Sequence, residues 1–345
     1  MKHPSRASER AGWASRVGRL IGWCAVGTVL LLLAGWGVLA IWFAKLSLAT
    51  RVVAAGAYGF GMLLLPLVIR PRRRGVVASL LLFVLVVAWF FSIPPSNNRD
   101  WQPDVAVLPW AEIKGNQVTI HNIRNCDYRS ETDYTVRHYD RTFDLSRLST
   151  ADIFLVHWGS PYIAHPILSF GFSDGGHVCF SIETRKEKGE EYSAVRGFFR
   201  QYELAYVVAD ERDVVRLRTN YRKEEVHLYR LMTNLELVRN VFLDYLQEVN
   251  RLHDRAQWYN ALTTNCTTAA RGHIAPHNPD GKFDWRIIIN GTLDEMLYER
   301  GVVDRSLPFA ELKRRSYVNP VAQAADRDPD FSRRIRAGLP LVLGR

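Results

Sequence analysis

Apolar positions are distributed in two ways along this chain. Three long runs dominate the first hundred residues: Leu20–Ala44, Val52–Ile69 and Gly75–Ile93. Each is long enough to cross a bilayer core, which takes about 20 residues of helix. The first is not a removable signal peptide: it is too long, lacks a small-x-small cleavage site, and precedes two further runs. After the turn-rich linker Pro94-Pro95-Ser96-Asn97-Asn98 the runs become short. Val118–Ile123, Val136–Asp144, Ile153–Val156, Glu203–Val208 and Val214–Thr219 read as strands, the last two joined through a turn-like Asp210-Glu211-Arg212-Asp213. Leu231, Leu235, Val238, Phe242, Tyr245, Leu246 and Val249 recur at helical spacing. Thr292–Arg300, stopped by Gly301, predicts a late helix, and the last forty residues are too mixed to place.

The clearest local element is a hairpin. Ala164–Phe172 and His177–Arg185 flank Ser173-Asp174-Gly175-Gly176. A three-residue loop pairs Phe172 with Val178, Phe170 with Phe180 and Leu168 with Ile182, gathering six apolar side chains on one face. The other face then carries Cys179, Ser181 and Glu183 beside Ser169, Ile167 and His165, with His165 opposite Arg185 and diagonal to Glu183. His177 falls at the far end, about 27 Å away at the usual strand rise, so the two histidines cannot serve one site.

Charge separates the same two regions. Residues 1–100 hold 12 Lys+Arg against 2 Asp+Glu, and the remainder holds 33 of each, so the net charge of +10 belongs to the membrane unit. Nothing marks a nucleic-acid surface. Basic residues precede the first run and Arg70, Arg72, Arg73 and Arg74 separate the second from the third, which predicts a cytoplasmic N-terminus and an exported main domain. Of the four cysteines, Cys24 lies in the first run. Cys126, Cys179 and Cys266 form an odd exported set in which a Cys126–Cys179 disulfide stays open.

Cys266 follows Asn265 where a short helix begins, with Thr264 or Asn265 as its N-cap. The positive end of a helix dipole favours thiolate, the form that attacks carbonyls. With a strand-borne histidine this makes the minimum set for thiol catalysis: Cys266 as nucleophile, His165 as general base and acid, Glu183 as the group orienting the imidazole, and a first-turn amide for the oxyanion. Each also has a plainer reading. Cys266 can be a small buried residue, His165 a strand start ahead of Pro166, and Glu183 a partner for Arg185. Trp258 and Tyr259 read as core or cleft wall. The strip Tyr202, Tyr206, Arg212, Arg216 and Arg218 reads as a polar groove or plain surface. His273 and His277 have zinc-like spacing, but Pro276 lies between them and no third ligand is evident. No cofactor or metal is expected.

Four motifs carry a resemblance: Ile163–Phe170, Ser181–Glu187, Phe198–Glu203 and Asn265–Thr268. Together they resemble the Lnb N-terminal periplasmic domain, long a domain of unknown function, over roughly residues 95–275. That family is similar to the circularly permuted NlpC/P60 (papain-like) thiol enzymes, in which histidine precedes cysteine, as His165 precedes Cys266. Its namesake transfers a fatty acyl chain to the N-terminal cysteine of a bacterial lipoprotein, and there the membrane part follows the catalytic domain.

The resemblance implies an α+β, papain-like (permuted NlpC/P60-type) periplasmic domain after three transmembrane helices. The expected organisation is a membrane anchor over 1–94, the periplasmic domain over 95–275 and a C-terminal extension over 276–345. The expected activity is acyl transfer or acyl hydrolysis on a lipoprotein or lipid-linked substrate at the bacterial inner membrane. The expected partners are the bilayer and a lipoprotein or cell-envelope substrate. A peptidoglycan amidase or peptidase, and a non-catalytic membrane-anchored binding module, are the alternatives.

Overall fold

The computed structural model describes residues 6–278 and 281–339 and divides into two compact units, Met1–Pro94 and Pro95–Arg345. In the first, α1 (Arg6–Trp42), α2 (Leu48–Val68) and α3 (Arg72–Ser92) are each long and apolar enough to cross a membrane. Small residues let these helices approach: a Cβ at Gly37 would overlap the Tyr58 ring, and one at Gly75 the Leu65 carbonyl. Two interhelical bonds reinforce the contact, Tyr58 Oη to the Leu33 carbonyl at 3.1 Å and Ser79 Oγ to the Met62 carbonyl at 2.9 Å.

The second unit is α+β. Its strands are β1 (Trp110–Lys114), β2 (Gln117–Arg124), β3 (Asp127–Tyr128), β4 (Tyr134–Thr135), β5 (His138–Asp144), β6 (Leu148–His157), β7 (Ala164–Phe172), β8 (His177–Arg185), β9 (Glu203–Ala209) and β10 (Glu225–Arg230). An eight-stranded sheet runs β1-β2-β9-β8-β7-β6-β10 with β5 also on β2, while β3 and β4 pair separately. The β2–β9 neighbours are parallel and the remaining pairs antiparallel. The helices are α4 (Ala194–Phe198), α5 (Glu211–Arg216), α6 (Leu235–Asp254), α7 (Cys266–Ile274), α8 (Leu293–Glu299), α9 (Phe309–Ser316), α10 (Asn319–Ala324) and α11 (Phe331–Arg334).

Strand alternation divides the buried side chains into two cores. Leu168, Phe170, Val178, Phe180 and Ile182 pack with Phe242, Tyr245 and Leu246 of α6. Ile167, Cys179 and Val207 pack with Val214 and Val215 of α5, Ala322 of α10 and Phe331 of α11. From the stretch expected as a C-terminal extension, Leu293, Met296 and Leu312 enter the first core, and Val318, Phe331 and Ile335 the second. Arg336, just past α11, reaches into the sheet, where its guanidinium meets Asp152 Oδ2 at 2.8 Å and Glu211 Oε1 at 2.6 Å.

Two local expectations are corrected. The hairpin strands fall on Ala164–Phe172 and His177–Arg185, but the register pairs Gly171 with His177, Phe170 with Val178 and Leu168 with Phe180. The turn is longer than a three-residue loop, because Gly175 N–H bonds back to the Phe172 carbonyl and Phe172 N–H to the Gly176 carbonyl, both at 2.9 Å. Gly175 sits at φ +86°, and a Cβ at Gly176 would strike Arg141. A shift of two residues preserves both faces, so the apolar face stays inward although every partner changes. Residues 214–219 are helical, not a strand. Asp210 caps α5 by accepting from Arg212 N, and the helix continues as a π-helical turn over Leu217–Tyr221. The Asp210–Asp213 cluster was a helix start and not a turn.

Candidate active site

Three segments converge at one end of β7 and β8. β7 begins at Ala164, which places His165 at the strand mouth, and Ser181 and Glu183 lie near the end of the antiparallel β8. The chain leaving α6 pairs with the start of β9, Trp258 bridging Glu203 and Tyr259 N–H bonding the Tyr202 carbonyl at 2.9 Å. A tight loop follows, closed by Thr264 Oγ1 accepting from Asn260 N at 2.8 Å. Asn265 then caps α7: its side chain accepts from Thr267 N and Thr268 N, and the Thr268 hydroxyl accepts from Asn265 N. Of the two caps considered, Asn265 is the one used, and Cys266 is the first residue of the helix.

The sequence-predicted residues Cys266, His165 and Glu183 meet. His165 Nε2 lies 2.7 Å from Ser181 Oγ and 3.4 Å from Glu183 Oε1. Ser181 Oγ donates to Glu183 Oε1 at 2.7 Å. A hydroxyl has a single proton, so Ser181 accepts from His165 Nε2–H. Cys266 and Glu183 both act electrostatically on the imidazole. Burial disfavours its charge, but the Glu183 carboxylate and Cys266 more than reverse this and lift its pKa to about 9. Glu183 is held well below the usual carboxylate range: burial works against its charge, and Arg218 and then His165 outweigh burial.

Arg218 Nη2 donates to Glu183 Oε1 at 2.9 Å, and its Nη1 to Glu224 Oε2 at 3.1 Å. Glu183 therefore pairs with Arg218 and His165, not Arg185. The Arg185 guanidinium instead bonds the Val105 and Ala106 carbonyls and covers the Trp101 ring. Of the strip read as a polar groove or surface, Tyr202, Tyr206, Arg216 and Arg218 are buried and Arg212 is half-buried. Cys126 and Cys179 are free thiols in different cores. His273 bonds Tyr206 Oη at 2.8 Å and His277 bonds Asp244 Oδ2 at 2.8 Å, so the two histidines serve different contacts.

Sequence reasoning passed over three contributors. Ser181 had been placed on the face of Glu183 without a role, although alternate positions on a strand share that face. Arg218 was obscured by the mistaken strand. Asn290 lies in a segment with no periodic signal. Its buried amide accepts from Ala164 N–H at 2.8 Å and donates to Thr267 Oγ1 at 2.5 Å, tying the start of β7 to the first turn of α7. Gly291 follows where a Cβ would collide with the Pro161 carbonyl, and its own carbonyl bonds His157 Nε2 at 2.9 Å. Asn290→Ala is expected to lower stability by about 1–3 kcal/mol, because two buried polar groups lose their partner. Thermal unfolding of the full chain measures this.

Tyr259 and Tyr192 complete the surroundings of the thiol. Burial pushes the Tyr259 phenol up, with Tyr192 and Cys266 adding to the effect, so it stays a neutral donor beside the cysteine.

Residues 134–291 match the family model of the Lnb N-terminal periplasmic domain, an interval that contains His165, Ser181, Glu183, Arg218, Cys266 and Asn290. No curated protein and no solved structure matches the chain. With three helices able to span a membrane ahead of that interval, this is a membrane-anchored protein carrying a periplasmic domain of the Lnb N-terminal family.

Proposed function

We propose that the domain is a thiol enzyme transferring or hydrolysing acyl groups of lipid or lipoprotein substrates, on a papain-like plan, at the outer face of the bacterial inner membrane. The observation that carries this reading is the hydrogen-bonded run His165–Ser181–Glu183–Arg218, with Cys266 close enough to raise the pKa of the imidazole. His165 takes the thiol proton, and the Cys266 sulfur attacks the acyl carbonyl carbon. A carbon–sulfur bond forms, the bond to the leaving group breaks, and the imidazolium protonates that group. An acceptor amine or water then attacks the thioester, delivers its proton to His165 and frees the sulfur. Asn265 occupies the Thr267 and Thr268 amides, so the oxyanion donor in this first turn is the Cys266 amide itself. The arginines before the first span and between the second and third support a cytoplasmic N-terminus.

The test is mass analysis of the full chain after incubation with diacyl phospholipid, with and without a lipopeptide acceptor. An acyl mass on Cys266 that is discharged by the acceptor is the expected result. Cleavage of muropeptides with no acylation would replace this reading by a peptidoglycan amidase, and no adduct on either substrate by a binding module.

The raised pKa of His165 also predicts the pH profile. The proton that His165 takes from Cys266 is held on the imidazolium at neutral pH, and turnover falls as pH rises through about 9, where that proton is lost. In Glu183→Gln the supporting carboxylate is gone, so the alkaline limb moves to lower pH. Initial rates between pH 6 and 10.5 measure both.

A further inference from the structure

Between Pro95 and Arg345, sixteen large hydrophobic side chains are exposed among the described residues, and eleven belong to four segments around Cys266 and His165. These segments are 158–163, 192–198, the loop bearing Leu262, and 283–289. Contacts join them into one rim. The Trp158 and Tyr192 rings meet at 5.8 Å. Ala261 N–H bonds the Gly197 carbonyl at 3.3 Å, Gly291 N–H bonds the Tyr162 carbonyl at 3.0 Å, and Arg271 of α7 covers the Phe283 ring at 5.7 Å. Tyr162 is 68% exposed, and Phe283 and Trp285 60% each. Among described residues, the rest of the domain leaves only Val107, Ile113, Met232, Leu235 and Tyr317 comparably exposed. A monomeric domain rarely gathers so much apolar surface in one place without a partner.

We infer that this rim seats the active-site mouth against the interfacial region of a lipid bilayer. Two observations select lipid over a protein partner. The chain carries three candidate spans, so a bilayer is tethered to the domain at all times. The rim also mixes Trp and Tyr with aliphatic tips, the composition enriched where membrane meets water. Its four segments are separate in sequence, so no single amphipathic helix accounts for the surface. Seating would bring Cys266 to the depth of acyl ester bonds and exclude water from the thioester. In that respect the inference deepens the reading of Cys266 as an acyl-transfer nucleophile.

The test uses the full chain in nanodiscs of phosphatidylethanolamine and phosphatidylglycerol, carrying Cys24→Ser and Cys266→Ser. Nitroxide labels are placed through Tyr162→Cys, Trp285→Cys and, away from the rim, Ile113→Cys. The first two labels are expected to collide several-fold more with oxygen than with a water-soluble nickel chelate, and the third to favour nickel. Nickel accessibility at all three positions would overturn the inference. Shielding of the rim labels from both reagents would overturn it in favour of a protein partner. The labels report without catalysis, so this failure is distinguishable from failure of the thioester mechanism, which acyl-enzyme mass reads separately.

Discussion

Replacing His165 by alanine is expected to lower turnover at Cys266 by about 10³-fold, within the range a positioned acid–base group contributes. It is also expected to slow alkylation of Cys266 by iodoacetamide at pH 7. The side chain is only 11% exposed, and its Nε2 is committed to Ser181 and Glu183. Bulk water therefore offers a poor substitute for the imidazole. Ser181→Ala should cost less, since Glu183 remains 3.4 Å from the ring and still favours its charged form. The same alkylation assay orders the variants. If His165→Ala left both the alkylation rate and turnover at the wild-type level, the dyad would be refuted. Unchanged melting temperatures would show that the losses are chemical.

Arg336→Met is expected to destabilise the domain by about 3–5 kcal/mol, the usual cost of breaking a buried charge network by removing one partner. Arg336 neutralises Asp152 and Glu211 together, and both carboxylates are essentially inaccessible. After its removal, Asp152 keeps Arg230 and Glu211 keeps the Ser169 hydroxyl at 2.6 Å, but the second cation is lost. The effect also depends on pH. Burial alone would raise the Glu211 pKa, yet Arg336 draws it down to about 2. A depressed carboxylate contributes stability above its unfolded value of about 4.3, and that contribution is lost as pH falls through the folded value. The gap between wild type and Arg336→Met should therefore narrow from pH 5 towards pH 2. Urea unfolding across that interval measures it, and a constant gap would refute the assignment.

Composition and local pattern carried much of this molecule. The three apolar runs, the hairpin strands and the α6 periodicity were legible because each depends on side chains close in sequence. The juxtaposition of Cys266 and His165 was reached through the family resemblance and through polarity on one strand face, not through any local rule. Residues 214–219 were misread because Val, Arg and Thr suit either state. What decided the matter was a cap at Asp210 and burial of Val214 and Val215 against Ala322 and Phe331, residues more than a hundred positions away.

By itself the sequence determined the membrane segments, the polarity of the two hairpin faces and the capped helix that begins at Cys266. These follow from hydrophobic length, strand alternation and side-chain hydrogen bonding within one turn. Only the tertiary structure decided that Ser181 lies between His165 and Glu183, that Arg218 rather than Arg185 anchors that carboxylate, and that Asn290 ties strand to helix. Apart from the Ser181–Glu183 bond along one strand, those contacts join residues 16 to 126 positions apart. Their geometry is set by how the sheet and helices pack, and no local propensity encodes it.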